Sequence, residues 1–252
     1  MRKTDLIILF LLWTIGSLNA QTTQQLFEQG NAAYNVGNYT LAIEKYTAIL
    51  NEDVHSSELY FNLGNAHYRL GDAAESVFYF EQALRLDPTD ESINNNIAFA
   101  RNMSLDAIES LPETQLSKFH KQLLSQFGLD QWAYLSLFFV WLSMALLVAY
   151  RWNNRMNTKR VFFVLSILCI VFTLSSLFIT QSKQQILMKQ RAIVFAQETE
   201  IWGEPNKRSD ILFLLHEGTA VEVEDKLTGW SKIKLANGSI GWIENDAIKY
   251  LN

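Results

Sequence analysis

Two long stretches without a charged residue are the feature that most constrains this sequence. Residues 132–150 and 161–180 contain no Asp, Glu, Lys or Arg. As helices, each would be about 30 Å long, which matches the hydrocarbon core of a bilayer. We therefore predict two transmembrane helices over these ranges, joined by a loop, residues 151–160, that is too short to form a domain.

The charge of this loop predicts its side of the membrane. Four basic residues and no acid lie between 151 and 160. Loops rich in Lys and Arg remain in the cytoplasm by the positive-inside rule. The loop is therefore predicted to be cytoplasmic, and both flanking regions are predicted to lie on the opposite side of the membrane.

The N-terminal segment gives the same orientation. Arg2 and Lys3 precede an apolar run over residues 6–16, and the small residue Ala20 ends the segment. This pattern is typical of a signal peptide, residues 1–20, cleaved after Ala20. An uncleaved anchor is the alternative, although the apolar run covers only about half of a bilayer core. Both interpretations export the chain from residue 21 onward.

Composition excludes several classes of function. The net charge is −5 and the chain has one cysteine, Cys169. An acidic chain does not favour nucleic-acid binding, and one cysteine cannot form an internal disulfide or a multi-cysteine zinc site. Cys169 lies within the second apolar stretch, where a small packing residue is favoured over a redox or acylation site. Catalytic motifs are also missing from the sequence, so we predict no catalytic, cofactor or metal site.

A sequence repeat follows the signal segment. Residues 30–32, Gly-Asn-Ala, recur at 64–66, an offset of 34. The second copy also has Leu63, Tyr68 and Pro88 at the positions of a known pattern. The segment resembles the tetratricopeptide repeat family, in which each repeat is a pair of helices. We predict an α-helical repeat domain over 21–104.

Within that domain, we assign the repeats to residues 23–56 and 57–90 and a closing helix to 91–103. Two repeats and one helix are near the lower limit for a stable stack. We therefore expect a further packing unit from a partner or from self-association.

The tetratricopeptide resemblance also implies a groove formed by the first helix of each pair. The residues it places in that groove are Phe27, Asn31, Asn35, Phe61, Asn65, Arg69 and Asn95. Asparagine can donate to and accept from a peptide backbone, although simple solvation on a helix surface is the alternative. The carboxylate-clamp version of the family has a lysine where this chain has Phe27, so binding of chaperone tails is not carried over.

The segment 105–131 is predicted to be a linker with an amphipathic helix. Its apolar residues recur at helical spacing: Leu116, Phe119, Leu123, Leu124 and Phe127. Such a helix can lie at the membrane surface or pack against the repeats. Both arrangements would keep the repeats close to the bilayer.

A polar spacer, 181–191, leads into a β-rich region, 192–252. Alternating residues at 220–224 and the Asn237-Gly238 pair predict short strands and a hairpin, and together they suggest a small all-β barrel. Residues 216–219 and 241–243 resemble the bacterial SH3-like family, whose members bind cell-wall peptides or proteins. Trp202 is the candidate surface residue, whereas packing is favoured for Trp230 and Trp242.

The order of these parts resembles the BatE-like, repeat-containing members of the Bat (Bacteroides aerotolerance) group. That resemblance implies a multi-pass protein of the bacterial inner membrane with both folded regions in the periplasm. It implies von Willebrand-type membrane partners and a role in tolerance of oxygen or envelope stress, but no reaction.

Three functions follow from these parts. The first is a non-catalytic scaffold of an envelope complex. The alternative is a peptidoglycan-binding or cell-wall-sensing protein that acts through the SH3-like region. A redox carrier or enzyme subunit is disfavoured, because the exported regions contain no cysteine.

Overall fold

The computed structural model describes residues 23–106, 108, 111–112 and 114–251. The predicted signal peptide, residues 1–20, lies outside the described residues. The chain divides into two compact units. The first combines the described residues up to 108 with those from Gln190 onward, and the second spans Leu111–Lys189.

Five helices form the N-terminal part of the first unit. Residues 23–35 form α1. The next four are α2, α3, α4 and α5, which span Tyr39–Leu50, Ser57–Leu70, Ala73–Leu86 and Glu91–Arg101. The predicted helical repeat region is confirmed, with one helix following two helix pairs.

Glycine allows the two helices of the second pair to come close together. A Cβ atom at Gly64 would lie 2.7 Å from a ring atom of Phe80, so a larger residue there would collide with α4. Gly71 then ends α3 with a φ of 87°, a left-handed conformation that favours glycine. The 34-residue repeat thus reflects both close packing and turn geometry.

The C-terminal part of the first unit is a seven-stranded antiparallel sheet. Strands β1 to β4 span Gln190–Val194, Glu198–Trp202, Ile211–His216 and Ala220–Leu227. Strands β5 to β7 span Trp230–Lys234, Ile240–Glu244 and Ile248–Tyr250. The spatial order is β3-β2-β6-β5-β4-β1-β7. One face buries Ile201, Ile233 and Ile243 in the core.

The strand-rich character is confirmed, but closure into a barrel is not. Over the described part of the chain, β3 and β7 are the two edges of the sheet and do not pair with each other. Strand β7 has three residues, and its backbone pairs with β1. The sheet therefore remains open.

The helices and the sheet share a buried core. Ile193 of β1 and Leu251, which follows β7, lie in one cluster with Val77, Phe80 and Ile97. The chain thus supplies a packing unit of its own, while a further unit from a partner or a second copy stays a prediction. The sheet of the same chain covers the second helix pair and α5.

Three helices form the second unit. Helix α6 spans Gln115–Ser125, α7 spans Leu129–Trp152 and α8 spans Met156–Met188. Helices α7 and α8 are long and apolar enough to cross a membrane. Only 17% and 22% of their apolar windows are buried, which is unlike a core helix of a soluble protein. Helix α8 continues through most of the predicted spacer.

Hydroxyl groups line the seam between α7 and α8. The Ser136 hydroxyl donates to the Ser176 hydroxyl at 2.9 Å, and Ser176 donates to the Trp132 carbonyl oxygen at 3.0 Å. Further along, the hydroxyls of Ser143 and Ser166 lie 3.2 Å apart. All four serines are buried. Small side chains let the helices approach, and their hydroxyls satisfy one another and the backbone.

The amphipathic helix α6 packs against the other two helices of its unit. Leu124 forms a buried cluster with Trp132 of α7 and Ile179 of α8. The ammonium group of Lys183 donates to the Leu124 carbonyl oxygen at 2.9 Å, near the C-terminus of α6. Leu116 and Phe119 remain exposed on its other side.

Candidate functional site

Two pairs of asparagines link the first helices of successive repeats. Asn62 on α3 donates through Nδ2 to Oδ1 of Asn31 on α1 at 3.1 Å. Asn96 on α5 donates in the same way to Asn65 on α3 at 2.7 Å. The second pair lies 34 residues after the first, which is the repeat period. We call the surface that carries Asn31, Asn62, Asn65 and Asn96 the asparagine face.

A buried tyrosine fixes one end of this face. Tyr46 on α2 donates its hydroxyl to Oδ1 of Asn31 at 2.7 Å. Burial raises the pKa of Tyr46 to about 12, so the hydroxyl stays protonated at physiological pH and remains a donor. The Asn31 side chain is thus held from two directions.

The two predicted phenylalanines lie between helices of a pair. Phe27 and Phe61 are both half-buried. The ring centroid of Phe27 is 5.9 Å from that of Tyr46, and that of Phe61 is 5.8 Å from that of Phe80. Part of each ring therefore packs within its own repeat.

The other three predicted residues are exposed. Asn35, Arg69 and Asn95 lie on α1, α3 and α5. The Arg69 guanidinium carbon is 4.8 Å from the ring centroid of Tyr39, within the range of a cation–π contact. These residues can contact a ligand without displacing a buried neighbour.

Asn62 and Asn96 are missing from the residues predicted for the groove. Both bridge two helices of the asparagine face. They are themselves 34 residues apart, so the repeat offset carried the signal.

The asparagine pairs leave donors and acceptors available. Among the residues that the structure describes, the Nδ2 groups of Asn31 and Asn65 have no hydrogen-bond partner. The same holds for Oδ1 of Asn62 and Asn96. A peptide backbone offers alternating C=O and N–H groups, which these amides can bind. Because the pairs already restrain the side chains, binding costs less conformational entropy.

A buried carboxylate joins the helices to the sheet. Glu81 on α4 has 1% of its side chain exposed and forms ion pairs with Arg101 on α5 and Arg191 on β1. The distance from Arg191 Nη1 to Glu81 Oε2 is 2.8 Å. Two guanidinium groups thus compensate one buried charge.

A second polar contact joins Asp106, just after α5, to the turn between β3 and β4. Asp106 accepts hydrogen bonds from the Thr219 hydroxyl at 2.6 Å and the His216 backbone N–H at 2.7 Å. Its other oxygen lies 2.7 Å from His216 Nδ1. Glu198 is 3.7 Å from the other ring nitrogen of His216. We call this contact the Asp106–His216 contact.

Both groups of this contact have shifted pKa values. Burial alone would raise the pKa of Asp106, but its hydrogen bonds to Thr219 and His216 outweigh burial and lower it. The hydrogen bond to Asp106 raises the pKa of His216 above its ordinary value, with help from Glu198. Each shift favours the charged form of the group.

Three tryptophans share the outer face of the sheet. Trp202 on β2 pairs across the strands with Trp242 on β6. The rings of Trp202 and Trp230 are perpendicular, with centroids 6.5 Å apart. All three side chains are half-buried. Trp202 therefore lies in an aromatic group with the two tryptophans for which packing was favoured.

Within the described ranges, no group of three or more His, Cys, Asp and Glu side chains could hold a metal ion.

Comparisons with known proteins agree with the two folded parts. The tetratricopeptide repeat family matches residues 57–90, and the bacterial SH3 domain family matches residues 203–249. No curated protein matches the chain. Tetratricopeptide and bacterial SH3 domains are typically non-catalytic interaction modules, so the two matches indicate protein–protein interaction or binding roles. The second match contains Trp230 and Trp242 and begins just after Trp202.

Chains of known structure also match. One of them is the first tetratricopeptide domain of Spaghetti (RPAP3) bound to the HSP90 peptide SRMEEVD. Its sequence identity to this chain is 26%, over 33% of this chain and 68% of that one, with a TM-score of 0.31.

Proposed function

We propose that this protein is a non-catalytic, membrane-anchored scaffold that holds an extended segment of a partner membrane protein on the asparagine face. The observation that carries the proposal is the repeated pair, Asn31 with Asn62 and Asn65 with Asn96. These amides are ordered by one another and still offer donors and acceptors. The same three helices carry the exposed residues Asn35, Arg69 and Asn95, whose side chains can add contacts to the bound segment.

In this proposal, α7 and α8 form a transmembrane hairpin in a bacterial inner membrane. The basic residues at 151–160 support a cytoplasmic turn, which puts the first unit in the periplasm. The low burial of both helices supports contact with lipid. The resemblance to the Bat group suggests von Willebrand-type membrane proteins as partners and a role in tolerance of oxygen or envelope stress.

The test is co-purification from detergent with point variants of the full chain. Deleting the whole repeat region would uncover Ile193 and Leu251, which share its core, so it would confuse loss of binding with loss of folding. We choose the triple variant Asn35→Ala, Arg69→Ala, Asn95→Ala, since all three side chains are exposed. Asn94→Ala is the matched control, because Asn94 is an exposed neighbour on α5.

We expect integral membrane partners to be recovered with the parent chain and with the control, and to be lost with the triple variant. Equal recovery of the same partners with all three proteins would refute binding at this face. Circular dichroism of each purified variant checks that the helices remain folded.

A second candidate function is peptidoglycan binding through the tryptophans of the sheet. The perpendicular contact of Trp202 with Trp230 places a broad aromatic surface beside Trp242. Such surfaces bind ligands with a small loss of conformational entropy. Trp202→Ala should abolish sedimentation of the detergent-solubilised chain with cell-wall sacculi, whereas Leu214→Ala on β3 should not. A parent chain that stays in the supernatant rules this function out.

A further inference from the structure

A cleft of about 820 Å³ opens between the start of α1, the end of α2 and the start of α3. Its apolar lining includes Phe27, Ile49, Val54 and Leu59. A volume of this size accommodates a few side chains of a ligand. The cleft is separate from the asparagine pairs, none of which lines it.

The charged groups that line the cleft are acidic. Glu52 and Glu58 line it, and neither has a cationic partner in the described part of the chain. Glu52 accepts a hydrogen bond from the hydroxyl of Thr23 at 2.8 Å, which leaves its charge uncompensated. The lining thus combines apolar walls with two carboxylates.

The end of α2 adds to this negative potential. The C-terminus of a helix carries a partial negative charge, which a basic residue in the last turn usually offsets. The last turn of α2 has no basic residue, and Glu52 follows directly after its C-cap, Asn51. Asp53 has a local partner, because its carboxylate is 3.2 Å from His55. Glu58, by contrast, lies at the N-terminus of α3, where the helix favours its charge.

The helical region around the cleft also carries an excess of negative charge. Residues 23–106 contain twelve acidic and four basic residues. A cation that enters the cleft would therefore meet a favourable field as well as the two carboxylates.

We infer that this end cleft binds a protein segment that carries a bulky apolar side chain next to Lys or Arg. The apolar side chain occupies the space between Phe27, Ile49 and Leu59. The cation pairs with Glu52 at the end of α2 and with Glu58. Charge complementarity selects this occupant, since an acidic segment would be repelled and a purely apolar one would leave the carboxylates unpaired.

The experiment uses the full chain in dodecyl maltoside micelles and two fluorophore-labelled peptides. Lys-Leu-Lys-Phe is the basic probe and Gln-Leu-Gln-Phe is its uncharged counterpart. Fluorescence anisotropy gives the affinity, with protein-free micelles as the blank. The variant is Glu52→Gln with Glu58→Gln, and the control is Glu44→Gln, an exposed acid on α2 that does not line the cleft.

We expect the basic peptide to bind the parent chain and the control equally, and the double variant about fivefold more weakly. The uncharged peptide should bind all three proteins as weakly as the basic peptide binds the double variant. Equal affinities of the two peptides, an unchanged affinity in the double variant, or no saturable binding would each overturn the inference.

Two further measurements identify other occupants. Self-association that the double variant abolishes, measured by analytical ultracentrifugation, would assign the cleft to a second copy and overturn the inference. Binding that appears only when the chain starts at Gln21 would assign it to the chain's own N-terminal segment, with the same consequence. The triple variant of the asparagine face should bind the probe normally, so failure of the proposed function and failure of this inference are separable.

Discussion

The two units bury polar groups in different ways. In the first unit, the junction between helices and sheet uses charges: buried Glu81 pairs with Arg101 and Arg191, and half-buried Asp106 lies beside His216. In the second unit, the seam between α7 and α8 buries hydroxyls, such as those of Ser136 and Ser176. Both interfaces hold two segments together through polar contacts, but only one of them uses ions.

The two kinds of contact differ in how their polar groups are satisfied. Arg101 and Arg191 each keep 45% of their side chain exposed, so their charges reach water while they pair with Glu81. Hydrocarbon offers no such access, and an ion there is costly unless it is fully paired. Hydroxyls can be satisfied by nearby carbonyl oxygens at little cost. The hydroxyl contacts of the seam thus suit the apolar surroundings that α7 and α8 provide.

Removing both arginines of the junction should have the largest effect. Arg101→Met with Arg191→Met leaves the Glu81 carboxylate buried without a partner, which should cost about 3 kcal/mol of the free energy of unfolding. Hydrogen exchange of peptides from α4 and β1 measures this loss in the full chain. Arg85→Met, an exposed arginine on α4, is the control and should leave exchange unchanged. Unaltered protection in the double variant would mean that Glu81 does not depend on these ion pairs.

A bulky residue in the seam should have the next largest effect. Ser176→Leu forces apart helices that are packed around small side chains, which should destabilise the hairpin by about 2 kcal/mol. Ser175→Leu is the matched control, because Ser175 is exposed on the adjacent position of α8. Titration of micelles with sodium dodecyl sulfate, followed by circular dichroism, compares the two. Equal midpoints of the unfolding transition for Ser176→Leu and Ser175→Leu would show that Ser176 does not lie in a tightly packed interface.

Changes in pH should affect the junction and leave the seam unaltered. The pKa of His216 is raised above 6.5, so its contribution to stability is complete below pH 6.5 and is lost as the pH rises through the raised value. The pKa of Asp106 is lowered below 3.8, so its contribution is present above pH 3.8 and is lost as the pH falls through the lowered value. The Asp106–His216 contact is thus strongest between about pH 4 and 6.5.

The measurement is hydrogen exchange of β3 and β4 at pH 6 and pH 8, corrected for the intrinsic rate. Protection should fall at the higher pH in the parent chain and fall less in His216→Gln, which cannot titrate. The same fall in both proteins would exclude His216 as the titrating group.

Loss of a single hydroxyl from the seam should have the smallest effect. Ser176→Ala removes the hydrogen bond to the Trp132 carbonyl oxygen and should destabilise the hairpin by about 0.6 kcal/mol. Ser175→Ala should change nothing, since its hydroxyl bonds only within α8, to Val171. A larger loss than in Ser176→Leu would reverse the order expected for a hydroxyl seam.

Local patterns in the sequence predicted the elements but not the contacts between distant segments. The 34-residue offset predicts the helix pairs, and the charge-free stretches predict the two apolar helices. Each of these patterns is contained in a short segment of the sequence. Glu81 and Arg191 are 110 residues apart, and no local pattern marks them as partners. Asp106 and His216 are also 110 residues apart in the sequence, so their contact is not predicted by a local pattern either. Closure of the sheet depends on how the edges meet, which alternation of side chains does not encode.

Residues of the asparagine face show which contacts a face assignment leaves open. The tetratricopeptide resemblance implied Asn31 and Asn65 but not their donors, Asn62 on α3 and Asn96 on α5. Periodicity assigns residues to a face, but it does not tell which pairs of side chains on that face meet. The packing of α1 against α3, and of α3 against α5, decides which side chains meet.

The shared core also dictates an order of events during synthesis. Val77 and Phe80 leave the ribosome more than a hundred residues before Ile193, their partner in the core. At a synthesis rate of about 5–20 residues per second, this delay is roughly ten seconds. Until the last strands arrive, the nascent repeats expose the apolar side chains that the sheet later covers, and exposed apolar surface of this kind is prone to aggregate.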